Sequence, residues 1–242
     1  MAFTRRAALA LLACVSLATA SQVVLPATCL SSQANFDKYF SYDYPWGNTH
    51  NGAAKMDKSH CSLSGGYLTE TAVYSPGQAG GINYNACTVY AKQHFTVTAG
   101  GGYDFTADFI APTAKGTWPA LWLTAVTGWP PEIDIAEWKG DGKVSFNTFN
   151  TSSQVSAHDV TYSNPGAWHT VKCQIRAEPN GSDDFVIDFF LDGVHQITQH
   201  ARDYVGKAFW LIIDLQMEGS SGSPGPHTGM SFAFSRRWND LP

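Results

Sequence analysis

The 242-residue chain predicts an all-β fold, a sandwich or barrel built from short strands. Three observations carry that reading. Short apolar and aromatic runs recur with Gly, Pro, Asn and Ser between them. Sustained 3.6-residue periodicity and coiled-coil heptads are both missing. Asp192-Gly193, directly after an apolar run, is a hairpin signal.

In chain order, the runs expected to be strands are 88–97, 103–110, 120–124, 132–137, 144–149, 169–176, 185–191, 209–215 and 230–234. Each is rich in β-branched or aromatic residues and is bounded by turn formers. The stretches 60–66 and 77–81 read as loops, and 180–184 as an exposed turn. The Gly/Ser/Pro-rich segment 219–229 precedes a strand pattern and reads as a loop at the rim of a site. No interdomain linker and no internal repeat appear, so 21–242 is expected to be one catalytic domain.

Residues 1–20 read as an export leader. Arg5 and Arg6 supply a positive start, 7–20 is apolar and small, and Ala18-Thr19-Ala20 fits a cleavage site. The apolar run is too short for a membrane span. Thr4-Arg5-Arg6 weakly resembles a twin-arginine signal, and Leu11-Leu12-Ala13-Cys14 a lipoprotein site. Ordinary secretion is the preferred reading, and the expected location is extracellular.

Net charge is −5, and removing Arg5 and Arg6 with the leader makes it −7. An acidic chain is a poor partner for nucleic acid or an anionic membrane. Cys29, Cys61, Cys87 and Cys173 remain after cleavage, and four cysteines in an exported protein suggest two disulfides with three possible pairings. Asn150-Thr151-Ser152 and Asn180-Gly181-Ser182 are sequons, weak signals by themselves. No HExxH, GxSxG, P-loop or dinucleotide fingerprint occurs, and no cofactor is called for.

The chemistry concentrates in Glu132-Ile133-Asp134-Ile135-Ala136-Glu137. Three carboxylates inside an apolar strand repel one another, an arrangement chains avoid unless the site uses it. Glu132 and Asp134 share one strand face by alternation. Glu137 joins them only if the strand takes an extra residue near Ile135-Ala136, a β-bulge, which would leave Ile133 and Ile135 pointing to the core. Two glutamates flanking an aspartate favour the carboxyl separation of about 5–5.5 Å found in retaining glycosidases over the wider inverting one. Repulsion from ionised neighbours should raise the pKa of the acid, and Asp134 could orient the nucleophile.

Trp118 and Trp122 alternate in phase with Ala120, opposite Pro119, Leu121 and Leu123. If the leucines face the core, these tryptophans can stack on sugar rings. Each tryptophan taken alone is more often core than platform. Trp118, Trp122 and Trp138 are the candidates for binding, while Trp168 and Trp210 read as core.

The six-residue motif, preceded by Gly116-Thr117-Trp118-Pro119-Ala120-Leu121-Trp122-Leu123, resembles the signature of glycoside hydrolase family 16 in its bulged, laminarinase-like form. Trp168-His169-Thr170-Val171, the Asp188 to Gly193 hairpin and the Phe209 to Gly219 run extend the likeness over most of the mature chain. The resemblance implies a concanavalin-like β-jelly-roll of two antiparallel sheets with a substrate cleft. It also implies retaining endo-cleavage of a β-linked polysaccharide, with β-1,3(4)-glucan the leading substrate and galactan the alternative. It makes Glu132 the nucleophile, Glu137 the acid/base and Asp134 the assisting residue, and it tips Gln216 toward the site. Where many members carry Thr-x-His, this chain reads Thr148-Phe149-Asn150, which would place Asn150 in the cleft. The Gly102 to Ala107 segment departs from the family pattern as well.

The expected partner is therefore a polysaccharide, bound by a monomer, with no nucleic acid and no membrane after leader removal. A solvated edge strand or a calcium site explains the acids less well, because their neighbours are Ile, Ala and Trp. A carbohydrate-binding lectin and a cell-wall transglycosylase on the same fold are the other readings. A lectin has no need of an acid pair.

Overall fold

The computed structural model describes residues 22–219, 225–227 and 230–235, so the expected leader and most of the expected 219–229 loop lie outside the described residues. Strands are numbered in chain order. One sheet runs β1 (Phe40–Tyr42), β6 (Thr88–Ala91), β16 (Ala208–Met217), β9 (Thr117–Ala125), β10 (Glu132–Glu137), β11 (Lys143–Thr151) and β12 (Gln154–Thr161), with β7 (Phe95–Thr96) also paired to β16. The other runs β15 (Val194–Ala201), β14 (Phe185–Leu191), β13 (His169–Ala177), β8 (Gly102–Ile110), β17 (Met230–Ser235), β4 (Tyr67–Tyr74), β5 (Tyr84–Ala86) and β2 (Ala54–Met56), with β3 (Cys61–Ser64) on β4. Apart from a parallel β2–β5 pairing, the ladders among the described residues are antiparallel. This is a β-jelly-roll sandwich.

All nine expected strands exist. The 88–97 run is broken into β6 and β7, and the expected 60–66 loop contains β3. β12 and β15 went unread because every other residue faces solvent and their sequences carry little apolar signal. The Asp192-Gly193 hairpin forms as expected. Both residues take positive φ, and Leu191 pairs Val194. The short helix α1 (Gln33–Tyr39) starts at Ser32, whose hydroxyl accepts from the Asn35 amide.

Alternation builds the core. Leu121 and Leu123 of β9, Ile133 and Ile135 of β10, and Leu211, Ile213 and Leu215 of β16 are all buried against the second sheet. Aromatic pairs stitch the layers, with Phe146 5.2 Å from Phe189 and Phe185 6.3 Å from Phe209. Each such side chain contributes about 1.5–3 kcal/mol by burial.

Cys61 and Cys87 form a disulfide joining β3 to the β5–β6 connection. Closing a 26-residue separation is worth about 3.5 kcal/mol in the chain-entropy model. Of the two bridges expected, this one is seen among the described residues. Cys173 lies mid-β13 between Phe105 of β8 and Phe189 of β14, and remains a buried thiol whose pKa burial pushes well up.

Candidate active site

The site begins with a defect in β10. Against β9, Glu132 pairs Thr124 and Asp134 pairs Trp122, but Glu137 pairs Ala120, with the register shifting between Asp134 and Ala136. Against β11 the shift recurs between Asp134 and Glu137. One extra residue is absorbed at Ile135-Ala136, both fully buried. The bulge turns Glu137 onto the face that already holds Glu132 and Asp134.

That face opens into a cavity of about 400 Å³ lined by the three acids with Trp118, Ala120, Trp122, Trp129, Phe149, Asp214, Gln216, His50 and Asn51. A larger hollow of about 690 Å³ lies elsewhere, between the 22–25 segment and β7–β8, and contains none of the three acids.

The acids have different surroundings. Glu132 accepts from the Trp129 indole N–H at 2.9 Å, and its backbone amide donates to the Tyr204 hydroxyl at 3.1 Å. Tyr204 also donates to the Phe149 carbonyl, clipping the start of β10 to β11. Glu137 accepts from the Trp118 indole and, at 3.1 Å, from Asn147 Nδ2, with Lys139 Nζ 3.4 Å away. Asn147 Nδ2 also donates to Asp134 at 2.9 Å. Burial raises Glu132 to about 7, opposed by the Trp129 donation and helped by the charge of Glu137. Burial, then the charges of Glu132 and Glu137, pushes Asp134 well above the usual carboxylate range. Desolvation is therefore the larger cause and repulsion the lesser, the reverse of the weighting drawn from the acid spacing.

Asp214 is a fourth carboxylate of the floor. It sits on β16 across Ala120 from Glu137, because Ala120 pairs both. Burial raises it to about 7 against the hydrogen bond from the Tyr44 hydroxyl. Among the described residues no group of three or more His, Cys, Asp and Glu side chains is placed to hold a metal ion.

The expected binding residues separate. Trp118 and Trp122 line the cavity on one face of β9. Gln216 lines it too, but its amide is used internally. Oε1 accepts from the Ala54 and Met217 amides at 2.8 and 2.9 Å, which ties the 50–54 loop to β16. That loop approaches so closely that a Cβ on Gly52 would stand 2.6 Å from the Met217 carbonyl oxygen. Trp138 is a correction. It comes just after the bulged strand and turns inward, 2% exposed, against Phe109 and Phe232 of the second sheet.

Asn150 is another correction. The register sets Asn147 opposite Asp134 and Phe149 opposite Glu132, so those two face the cavity. Asn150 instead donates to the His200 carbonyl and accepts from the Arg202 amide of the β15 region. The tryptophans read as core also differ. Trp168 is 45% exposed, and Trp210 is half-buried on the cavity face of β16, edge-on to Tyr90 and His94.

Residues missed in the sequence include Asn147, Asp214, Tyr204 and the cluster Tyr44–Trp46–His50. Trp46 is 46% exposed, stacks on Tyr44 at 5.2 Å and meets Trp122 edge-on at 6.1 Å. Pairing β11 to β10 would have revealed Asn147. Nothing local marks the 44–54 loop.

A sandwich with paired carboxylates on one strand face and tryptophans around them defines a glycoside hydrolase. No protein-family model matches the chain. It is 45% identical over 214 residues to the galactan endo-beta-1,3-galactanase of Flammulina velutipes, covering 84% of each. It is 24% identical over 173 residues to the endo-1,3-1,4-beta-glycanase ExsH of Rhizobium meliloti, covering 67% of this chain and 35% of that protein. The catalytic domain of a Thermotoga petrophila laminarinase superposes with TM-score 0.65 at 16% identity, over 81% of this chain and 88% of that one. LamAcat from Zobellia galactanivorans superposes with TM-score 0.63 at 20% identity, over 82% of this chain and 88% of that one. The chain belongs to glycoside hydrolase family 16 and is an endo-glycosidase of β-linked polysaccharide.

Proposed function

We propose that this chain is a secreted, retaining endo-β-1,3-galactanase, in which Glu132 is the nucleophile and Glu137 the acid/base. The observation that carries the chemistry is the β10 bulge, which gathers both glutamates and Asp134 on one face of a tryptophan-walled cavity. Glu132 attacks the anomeric carbon while Glu137 protonates the departing oxygen, and a glycosyl-enzyme forms. Glu137 then takes a proton from water, and the hydroxide equivalent releases the sugar from Glu132. Asp134, in the buried floor, accepts from the same Asn147 amide that donates to Glu137 and so helps orient it. The Trp129 donation favours the ionised nucleophile.

The galactan substrate is supported by the 45% identical relative, a galactan endo-beta-1,3-galactanase. It takes precedence over the β-1,3(4)-glucan first expected, because the laminarinase structures share the fold at only 15–21% identity. The half-exposed Trp129 lines the cavity, and Trp46 stands beside it against Trp122 and His50, both offered as platforms for sugar rings. Among the described residues no helix is long and apolar enough to cross a membrane. The reading of residues 1–20 as an export leader supports action outside the cell.

The test is a panel of β-1,3-galactan, laminarin and lichenan with product sizing and NMR of the first anomer released. Internal cleavage of galactan with retained configuration is expected, and Glu132→Gln and Glu137→Gln should each lose about 10²–10⁴-fold in kcat. Preferred cleavage of laminarin would replace the substrate assignment. Binding without cleavage of any of the three would favour the lectin.

A further inference from the structure

Lys139 follows the bulged strand by two residues and has its backbone held from both sides. Trp138 before it is anchored in the core. Gly140 after it has φ +69°, and a Cβ there would stand 1.9 Å from the Ala114 carbonyl oxygen. Thus the turn is pressed onto the 114–116 loop, and the lysine side chain is directed back over β9. Its Nζ lies 2.8 Å from Glu218 Oε1, 3.4 Å from Glu137 Oε1 and 3.3 Å from the centre of the Trp118 ring. Glu218 is buried and is itself placed by its amide donating to the Gly116 carbonyl at 2.9 Å.

The result is a chain of three charges, Glu218–Lys139–Glu137, laid over a tryptophan. The closer contact is with Glu218, so that carboxylate determines how far the ammonium reaches toward Glu137. We propose that Lys139, anchored by Glu218, is a positioning residue that holds Glu137 for its acid/base turn and sets how readily it keeps a proton. This rests on Glu137 being the acid/base. The other charged groups facing Glu137 are Glu132 and Asp134 on its own strand and Asp214 across Ala120. From β9 and β11 its side chain accepts from Trp118 and Asn147, and its register partners are Ala120 and Ser145, none of which titrates.

The signs follow from charge. Removing a cation beside a carboxylate favours its protonated form, and removing the anion behind that cation does the reverse. The experiment is the pH dependence of kcat and KM on whichever β-linked polysaccharide the enzyme cleaves best. Lys139→Met is expected to move the alkaline limb of kcat/KM to higher pH and lower kcat about tenfold, with KM within about threefold. Glu218→Gln should move the same limb to lower pH, and Lys139→Arg should restore most of kcat. If Lys139→Met and Glu218→Gln leave the limb where it is, or move it the same way, the proposal is overturned. If Lys139→Arg is as impaired as Lys139→Met, the charge is not what matters and the proposal also falls. Glu137→Ala with added azide separates the two layers. Azide rescue with an unmoved limb in Lys139→Met sinks only the lysine, whereas an undiminished Glu137→Ala sinks the acid/base assignment beneath it.

Discussion

Glu132 and Glu137 share a strand face, but the donors around them differ in number and in charge. Glu137 has an indole, an amide and an ammonium about it, whereas the side chain of Glu132 receives only the Trp129 indole. Burial raises Glu132 to about 7, so the Trp129 hydrogen bond is what opposes a further rise. Trp129→Phe removes that donor and should shift the acid limb of kcat/KM to higher pH. Activity below pH 6 should then fall by about tenfold, the worth of one hydrogen bond to a charged group. An acid limb in the same place as wild type would show that Glu132 is not the group that must ionise. The acids themselves were legible in the sequence by type and spacing. Their partners were not, because Asn147 and Asp214 are brought in by strand pairing, and Tyr204 by the connection from β15 to β16, not by proximity along the chain.

Within β10 the bulge has a consequence that register makes definite. Between Asp134 and Glu137 the strand spends three steps where β9 spends two, from Trp122 to Ala120. Deleting Ala136 removes the extra residue and leaves a regular strand in which the glutamate still faces Ala120. The deletion is therefore expected to fold and to keep measurable hydrolysis. Inserting one alanine after Ala136 puts the glutamate four steps from Asp134, back on the cavity face by alternation but opposite Trp118 in place of Ala120, and should reduce kcat to the level of Glu137→Gln. Circular dichroism and kcat for both variants decide the matter, and an active insertion with an inactive deletion would contradict the register. The bulge was readable in advance because strict alternation left Glu137 on the wrong face. The orientation of Trp138 was not, since a bulge says where its own glutamate points and nothing about the turn that follows. Asn150 failed for a related reason: one residue of slip along β11 exchanges the cavity face for the opposite one.

For the whole molecule, the buried acids set the dependence of stability on pH. Glu70 lies fully buried in the sandwich, and burial and then the Asp214 charge push its pKa well above the usual range. It sits 3.5 Å from the Cys87 sulfur, which as part of a disulfide has no proton to give, so the contact suits a protonated Glu70. Glu132 and Asp214, each raised to about 7, and Asp134 add to it. A carboxyl raised on folding contributes stability below its unfolded pKa of about 4 and loses it as pH rises through the folded value. Asp104 works the other way. Despite its burial, Gln174, Arg176 and Lys172 hold it low, so its contribution is lost as pH falls. Melting temperature should peak between about pH 4 and 6 and decline toward pH 8. Glu70→Gln, which removes one titration without changing shape, should flatten that decline. A melting temperature that rises from pH 5 to 8, or an unaltered slope in Glu70→Gln, would refute the account.

By itself the sequence determined the strand-rich class, the acid motif and the need for a bulge. Each is a local matter: alternation, turn chemistry and the cost of crowding like charges are all written in neighbouring residues. The tertiary structure decided what lies opposite those acids. It placed Asp214 across Ala120, Trp46 and His50 against Trp122, and Lys139 over Trp118, while it sent Trp138 inward and Asn150 to β15. Those choices depend on register between strands far apart in the chain and on which sheet a turn packs against. No single stretch of residues encodes either.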